Sequence, residues 1–110
     1  MANNKLGIIG GSGLYDIEGI KTPAWKKVKT PWGEPSDKIL NFKYNGKEVC
    51  FLPRHGRGHK ISPTNINFRA NIDAFKQLGV TDILSVSAVG SLKENLDPGT
   101  FVLVDQFIDR

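Results

Sequence analysis

Three segments of the sequence combine hydrogen-bond donors with glycine, and each follows a run of apolar residues. They are Gly11-Ser12-Gly13, Arg54-His55-Gly56 and Ser87-Ala88-Val89-Gly90. Glycine-rich turns expose backbone N–H groups, serine hydroxyls donate over a short reach, and an arginine side chain makes paired, charge-assisted hydrogen bonds. A tetrahedral oxyanion needs donors of these kinds from several directions. Together the three segments therefore predict one phosphate-binding site.

Each segment has a simpler explanation when it is taken alone. Gly10-Gly11-Ser12-Gly13 is followed by Asp16 where the dinucleotide-binding fingerprint has its last glycine, and it lacks the lysine of a P-loop, which leaves a tight turn. Ser87 is then a small residue inside an apolar strand. His55 and His59 have the spacing of two zinc ligands on a helix, but the glycines between them disfavour a helix. Without a second cysteine or a nearby carboxylate, we expect no metal site.

Three further residues are interpreted as structural. Arg57 and Lys60 are expected to be surface charges rather than ligands. Cys50, which stands between Val49 and Phe51, is expected to be a buried small hydrophobic residue rather than a nucleophile.

The apolar runs predict the strands that position the three segments. Residues 5–10 are typical of a short buried strand, and residues 83–89 of a strand that is buried on both faces. Residues 39–44 and 47–52 predict a hairpin, because Asn45-Gly46 between them accepts the positive φ angles of a tight turn. In α/β sheets, ligands bind beyond the carboxyl ends of the strands. The three segments lie at such ends.

The remaining residues predict one helix and one more strand. Ser62-Pro63-Thr64-Asn65 is typical of a helix entry, and Gly79 of a helix end. Between them, four apolar residues at helical spacing predict a stripe that faces the core: Phe68, Ile72, Phe75 and Leu78. Residues 19–38, rich in glycine and proline, are expected to be irregular, and residues 101–104 are expected to form a strand after a turn at Asp97-Pro98-Gly99. This order of elements predicts an α/β fold with a mixed sheet.

Composition places the chain among ordinary globular domains. Its 110 residues are 39% hydrophobic and 24% charged, which suits one domain with a sizeable core. The apolar runs are far shorter than the roughly 20 residues that span a bilayer, and the N-terminus lacks the apolar core of a signal peptide. Cys50 is the only cysteine, so no internal disulfide is possible and a cytoplasmic location is expected. The net charge of +4 favours anions only mildly.

Five motifs stand in a distinctive order along the chain: GIIGGSGLYD, TPWGEPSD, FLPRHGRGHKISPTNINFRANI, SAVGSL and VDQFIDR. In this order and spacing they resemble the N-terminal part of the 5′-methylthioadenosine phosphorylases, a family in the trimeric branch of the purine nucleoside phosphorylases. The resemblance extends from Lys5 to Arg110. It implies that residues 1–110 are the N-terminal part of a single α/β domain with a mixed twisted sheet flanked by helices. It also implies that the full-length protein is a homotrimer or a dimer of trimers.

The resemblance implies a reaction as well as a fold. The reaction is the reversible phosphorolysis of S-methyl-5′-thioadenosine to adenine and 5-methylthioribose 1-phosphate, with inorganic phosphate as co-substrate and no metal or organic cofactor. The implied phosphate-binding residues are Ser12, Arg54, His55, Ser87 and Ala88. Val89 and Gly90 are implied to lie along the purine pocket. Family members often carry Thr at positions 12 and 87, which keeps the hydroxyl.

Two other functions stay open at this stage. Because family members are well over twice as long, the chain is expected to be truncated, with an exposed sheet edge and with the acid that protonates the leaving purine beyond residue 110. These residues therefore do not specify which purine is bound, and a phosphorylase for methylthioinosine or other purine nucleosides is the first alternative. The second is a non-enzymatic basic module that binds nucleic acid through Arg54, Arg57 and Lys60. Its glycine-rich setting and the modest net charge count against it, so we expect neither nucleic acid nor membrane as a partner.

Overall fold

The computed structural model describes residues 4–11 and 18–108. Within them, one short 3₁₀ turn, Pro63–Asn65, precedes the α-helix. The strands and the helix in chain order are β1 Leu6–Gly10, β2 Lys21–Lys26, β3 Ile39–Tyr44, β4 Lys47–Pro53, α1 Phe68–Gln77 and β5 Asp82–Ser85.

The five strands form one mixed sheet in the order β2-β3-β4-β1-β5. The pairs β2–β3 and β3–β4 are antiparallel, whereas β4–β1 and β1–β5 are parallel. The side chains of one sheet face pack against α1 in a core cluster of Ile39, Cys50, Leu52, Ala74 and Phe75. The opposite face carries a second cluster of Leu40, Phe42, Val49 and Phe51. The predicted α/β fold with a mixed sheet is confirmed.

The hairpin between β3 and β4 forms where the sequence predicted it. Asn45 has φ 50° and Gly46 has φ 77°, as a two-residue turn of the primed type requires. The turn sets the register, in which Tyr44 faces Lys47.

The helix follows the prediction at its end but differs at its entry. Gly79 takes φ 82° directly after the C-cap residue Leu78, as predicted. The segment 62–65 forms the 3₁₀ turn instead of capping the helix. The N-cap is Asn67, whose side chain accepts a hydrogen bond from the Ala70 backbone N–H at 3.1 Å.

The predicted core stripe of the helix is only half right. Phe75 is fully buried and Leu78 packs beside it, but Phe68 is 64% exposed and Ile72 is 49% exposed. The helix face that is buried consists of Ala70, Asn71, Ala74 and Phe75. Because small residues at positions 70 and 74 let the helix approach the sheet closely, this face turns inward, and the two larger side chains turn toward the sheet's carboxyl edge.

The expectation that residues 19–38 are irregular throughout is wrong, because β2 lies within them. Pro23 cannot donate to a ladder, so a strand that contains it is restricted to a sheet edge, and β2 is such an edge strand. A register shift between Lys21 and Ala24, where Thr22 has φ 50°, accommodates the proline.

Two predictions about the last third of the chain are also wrong. The strand predicted over 83–89 ends at Ser85, and all four β5 residues are exposed rather than buried on both faces. Residues 101–104 are exposed and form no strand, although the preceding turn is present, with the Thr100 N–H donating to the Asp97 carbonyl at 3.1 Å. Among the described residues, β5 pairs only with β1, and residues 101–104 do not join its free side. Of the described helices, none has the length and apolar character needed to cross a membrane.

Candidate functional site

The parallel strands β4, β1 and β5 end side by side at one edge of the sheet. Gly10 pairs with Pro53, and Ile9 pairs with Ser85. One further ladder bond extends each pair: the Arg54 N–H donates to Gly10 O at 3.0 Å, and the Val86 N–H donates to Ile9 O at 2.8 Å. The three segments that the sequence singled out therefore begin at neighbouring positions of one edge.

The Arg54 side chain connects these strand ends. Its Nη1 donates to the Val86 carbonyl at 2.9 Å, directly before Ser87. Its Nη2 lies 3.9 Å from the position that a Cβ on Gly11 would occupy. The guanidinium thus sits between Gly11 and Val86, the residue before the Ser87–Gly90 segment.

His55 is held in one tautomer by its two neighbours. Arg54 Nε donates to His55 Nε2 at 3.2 Å, so Nε2 must accept. His55 Nδ1 lies 2.9 Å from the Ile61 carbonyl, so Nδ1 must carry the proton. The ring also stacks on His59 with centroids 4.3 Å apart. These contacts fix the orientation of the His55 ring beside the guanidinium.

A small cavity of about 100 Å³ adjoins Arg54 on the helix side. The polar groups in its wall belong to Arg54, Asn71 and Ser85, and the apolar groups include Phe68 and Ile72. The exposure of the two apolar helix residues is explained by this position, since they border the candidate site instead of the core. Sequence reasoning missed this role because helical spacing alone does not say which side of a stripe faces the sheet.

Asn71 is a second residue that sequence reasoning missed. It is 2% exposed. Its Oδ1 accepts from the Ser36 N–H at 2.8 Å, and its Nδ2 donates to Ser36 Oγ at 3.0 Å. Four residues earlier, Asn67 Nδ2 donates to the Trp32 carbonyl at 2.9 Å. The two asparagines tie the segment 30–38 to α1, and their spacing of one helical turn was the available signal.

Arg57 is engaged in a salt bridge that the sequence did not indicate. Its backbone N–H and Nε donate to Asp37 Oδ2 at 2.8 and 2.9 Å, and its Nη2 donates to Oδ1 at 3.1 Å. The guanidinium also lies 3.9 Å over the Trp25 ring. Burial alone would raise the pKa of Asp37, but the hydrogen bonds from Arg57 and the Lys38 backbone outweigh it and lower the pKa below the ordinary 3.8.

The remaining predicted site residues differ in what the structure says of them. Ser12 lies outside the described residues. Ser87 through Gly90 follow β5 as an exposed segment without regular structure, and Val89 is 78% exposed. The structure brings Arg54 and His55 next to each other, and Arg54 contacts Val86, the residue directly before this segment. The phosphate and purine roles of these residues stay predictions.

Neither a cysteine nucleophile nor a metal cluster is found among the described residues. Cys50 is fully buried, as predicted, and its Sγ donates to Asn41 Oδ1 at 3.1 Å. Burial raises the pKa of its thiol, which disfavours the nucleophilic thiolate. Among the residues described, no group of three or more His, Cys, Asp or Glu side chains could hold a metal ion.

Comparison with known proteins identifies the family. Residues 5–110 match the family described as the phosphorylase superfamily. The chain belongs to this superfamily. It is 61% identical over 105 residues to the S-methyl-5′-thioadenosine phosphorylase of Cereibacter sphaeroides, covering 96% of this chain and 36% of the relative. It is 51% identical to the enzyme of the same name from Thermofilum pendens, covering 99% of this chain and 42% of the relative.

Solved structures of this superfamily share the fold. A methylthioadenosine phosphorylase from an antarctic soil metagenomic library superposes with a TM-score of 0.81 at 50% identity, over 89% of this chain and 34% of that one. The Schistosoma mansoni methylthioadenosine phosphorylase in complex with adenine gives 0.79 at 46% identity, over 88% and 35%. The chain thus spans about a third of the length of these superfamily members. The resemblance inferred from the motifs and the purine nucleoside phosphorylase-like fold are confirmed.

Proposed function

We propose that this chain is part of an enzyme that catalyses the reversible phosphorolysis of S-methyl-5′-thioadenosine to adenine and 5-methylthioribose 1-phosphate. The observation that carries the proposal is the placement of the Arg54 guanidinium, 2.9 Å from the Val86 carbonyl and beside Gly11, at the joined ends of three strands. The names of the relatives from Cereibacter sphaeroides and Thermofilum pendens supply the nucleoside.

The proposed phosphate site takes donors from all three segments. Arg54 supplies the positive charge, and the fixed tautomer of His55 leaves the pair rigid. The remaining proposed donors are the hydroxyls of Ser12 and Ser87 and the backbone at Ala88. Because the guanidinium already lies against the carbonyl of Val86, the two residues that follow begin within reach of the same anion. Val89 and Gly90 would continue along the purine.

The chemistry follows from where charge develops. Cleavage of the glycosidic bond generates positive charge on the ribose ring while phosphate approaches the anomeric carbon from the face opposite the purine. The phosphate dianion forms the new C–O bond, and the bonding electrons leave with the purine, which takes up a proton. Preorganised donors that hold the phosphate in line therefore contribute by positioning and electrostatic stabilisation. Inorganic phosphate is itself the nucleophile, so the proposal includes no metal or organic cofactor.

Several parts of the proposal concern the full-length protein. The acid that protonates the purine is assigned to residues outside this chain. By family resemblance the active form is a homotrimer or a dimer of trimers. We place the enzyme in the cytoplasm, in keeping with a single cysteine in these 110 residues. We place it in purine and methionine salvage, since the product adenine is a purine base and the sugar product carries the methylthio group. Methylthioinosine or other purine nucleosides stay the alternative substrates.

The structure argues against the basic nucleic-acid module on one specific point. Such a module needs its cations displayed to the phosphates of a strand. Arg57, one of the three cations that it requires, instead faces Asp37 and the Trp25 ring.

The test is adenine release by the full-length enzyme with and without phosphate. The proposal predicts that release requires phosphate, that the sugar product is the 1-phosphate, and that methylthioadenosine has a higher kcat/KM than methylthioinosine or inosine. Equal release in phosphate-free buffer would show a hydrolase. A preference for methylthioinosine would show the alternative specificity.

A further inference from the structure

The segment that carries Arg54 and His55 needs outside support. Residues 54–61 are called the 54–61 loop below. Three of them have positive φ angles: 75° at Gly56, 79° at Gly58 and 56° at His59. A left-handed conformation is unfavourable for a histidine, and such backbone persists only where its surroundings fix it. The loop's own hydrogen bonds, such as that from the Ile61 N–H to His55 O at 3.0 Å, close it without attaching it to the rest of the fold.

Asp37 supplies an attachment from another part of the chain. Its carboxylate accepts from the Arg57 backbone N–H as well as from the guanidinium. The backbone bond matters because it fixes the loop itself, whichever way the side chain turns. The Asp37 side chain is only 14% exposed, so water competes weakly for these bonds.

The carboxylate is itself fixed by its neighbours. Asp37 Oδ1 accepts from the Lys38 N–H at 2.6 Å. The preceding residue, Ser36, is bonded to the buried Asn71. The Ser36 carbonyl also lies 3.1 Å from the position of a Cβ on Gly56, so the two backbones are in close contact. Helix α1 thereby sets the position of the loop through Ser36 and Asp37.

We propose that Asp37 is a positioning residue that, through Arg57, holds the 54–61 loop so that Arg54 and His55 face the phosphate. The proposal rests on the function proposed above. Without the carboxylate, the Arg57 N–H and guanidinium lose their shared acceptor, so the loop keeps its closure and its bonds at Arg54 but loses its tie to Asp37. Displacing a binding group by about 1 Å can cost as much as 100-fold in rate. We therefore expect kcat/KM for phosphate to fall about 10- to 100-fold through a raised phosphate KM, with the nucleoside KM unchanged.

The experiment uses the full-length enzyme and varies each substrate at saturation of the other. Asp37→Asn keeps the size of the side chain but accepts the guanidinium less well, and it is expected to raise the phosphate KM alone. Asp37→Glu restores the charge, and Arg57→Lys keeps the backbone bond and one positive charge, so both should lie between Asp37→Asn and the parent. Thermal unfolding of each variant shows that it is folded.

Glu34→Gln is the matched control. Glu34 lies in the same segment and its ion pair with Lys27 is long, 4.0 Å, and exposed at both side chains. This variant should leave both KM values at those of the parent. The proposal is overturned if Asp37→Asn lowers kcat with an unchanged phosphate KM, or if it raises both KM values alike, because either result shows a general structural role.

Arg54→Ala separates this inference from the function on which it rests. If Arg54→Ala raises the phosphate KM but Asp37→Asn keeps the phosphate KM of the parent, the positioning role of Asp37 is refuted and the proposed function is not. A parental phosphate KM in Arg54→Ala refutes the proposed phosphate site, whatever Asp37→Asn does.

Discussion

The tie between α1 and the segment 30–38 gives a stability prediction whose size can be worked out from the structure. Asn71→Ala removes two hydrogen bonds to Ser36, one to its backbone N–H and one to its hydroxyl. A hydrogen bond contributes about 0.5–1.5 kcal/mol net, and leaving a buried N–H unpaired costs about 1–3 kcal/mol. Ser36 is half-buried, so water recovers part of the loss. We expect Asn71→Ala to lower the free energy of unfolding by about 2–3 kcal/mol.

Two further variants make this prediction specific. Ser36→Ala removes only the hydroxyl bond and should cost about 1 kcal/mol. Gln77→Ala likewise removes two bonds from the same helix, to the Lys29 carbonyl and to Asp73 Oδ2, each at 2.8 Å but in an exposed position, and should cost under about 0.5 kcal/mol. Urea unfolding of the full-length protein, read at the midpoint with the slope unchanged, measures all three. If Asn71→Ala costs no more than Gln77→Ala, the buried tie does not hold the segment and the reasoning fails.

Three other predictions concern the core, the salt bridge and the first strand. Cys50 should react with an aromatic disulfide reagent only as fast as the protein unfolds, since its thiol is fully buried and the pKa of that thiol is raised. Rapid labelling of the native protein would contradict its burial. The difference in unfolding free energy between the parent and Asp37→Asn should be constant between about pH 5 and 7 and should shrink as the pH falls below 3.8. The reason is that the bonds from Arg57 lower the pKa of Asp37 in the folded state, so the parent loses this stabilisation when the carboxylate is protonated. An unchanged difference at about pH 3 in urea unfolding would contradict this. Gly7→Ala should destabilise the protein by about 1–3 kcal/mol through overpacking, because the added Cβ would lie 2.8 Å from Val80 Cγ1; an unshifted melting temperature would show that Val80 can move aside.

The elements that the sequence predicted correctly are those fixed by nearby residues. Asn45-Gly46 specifies the hairpin through the positive φ angles that the turn requires. Gly79 specifies the end of α1 for the same reason. The Arg54 segment was also predicted correctly as the end of a strand, because the change from apolar residues to glycine and cations is local. Such signals need no knowledge of the rest of the fold.

The features that were missed depend on partners distant in sequence. β2 forms despite Pro23 because it pairs with β3 at the edge of the sheet, whereas residues 101–104 have a better strand composition but pair with no described strand. The pair of Asp37 with Arg57 joins residues 20 positions apart, and neither residue type nor spacing marks it. The inward face of α1 is decided by how closely Ala74 meets the sheet, which helical periodicity does not specify.

The most direct test of the central claim is a structure of the full-length protein with bound phosphate. The account predicts one phosphate at the joined ends of β4, β1 and β5, with the Arg54 guanidinium within about 3.2 Å of its oxygens, with His55 beside that guanidinium, and with further bonds from the Ser12 hydroxyl and the backbone at Ala88. A phosphate bound elsewhere, or one at this edge that leaves Arg54 turned away from it, would contradict the account.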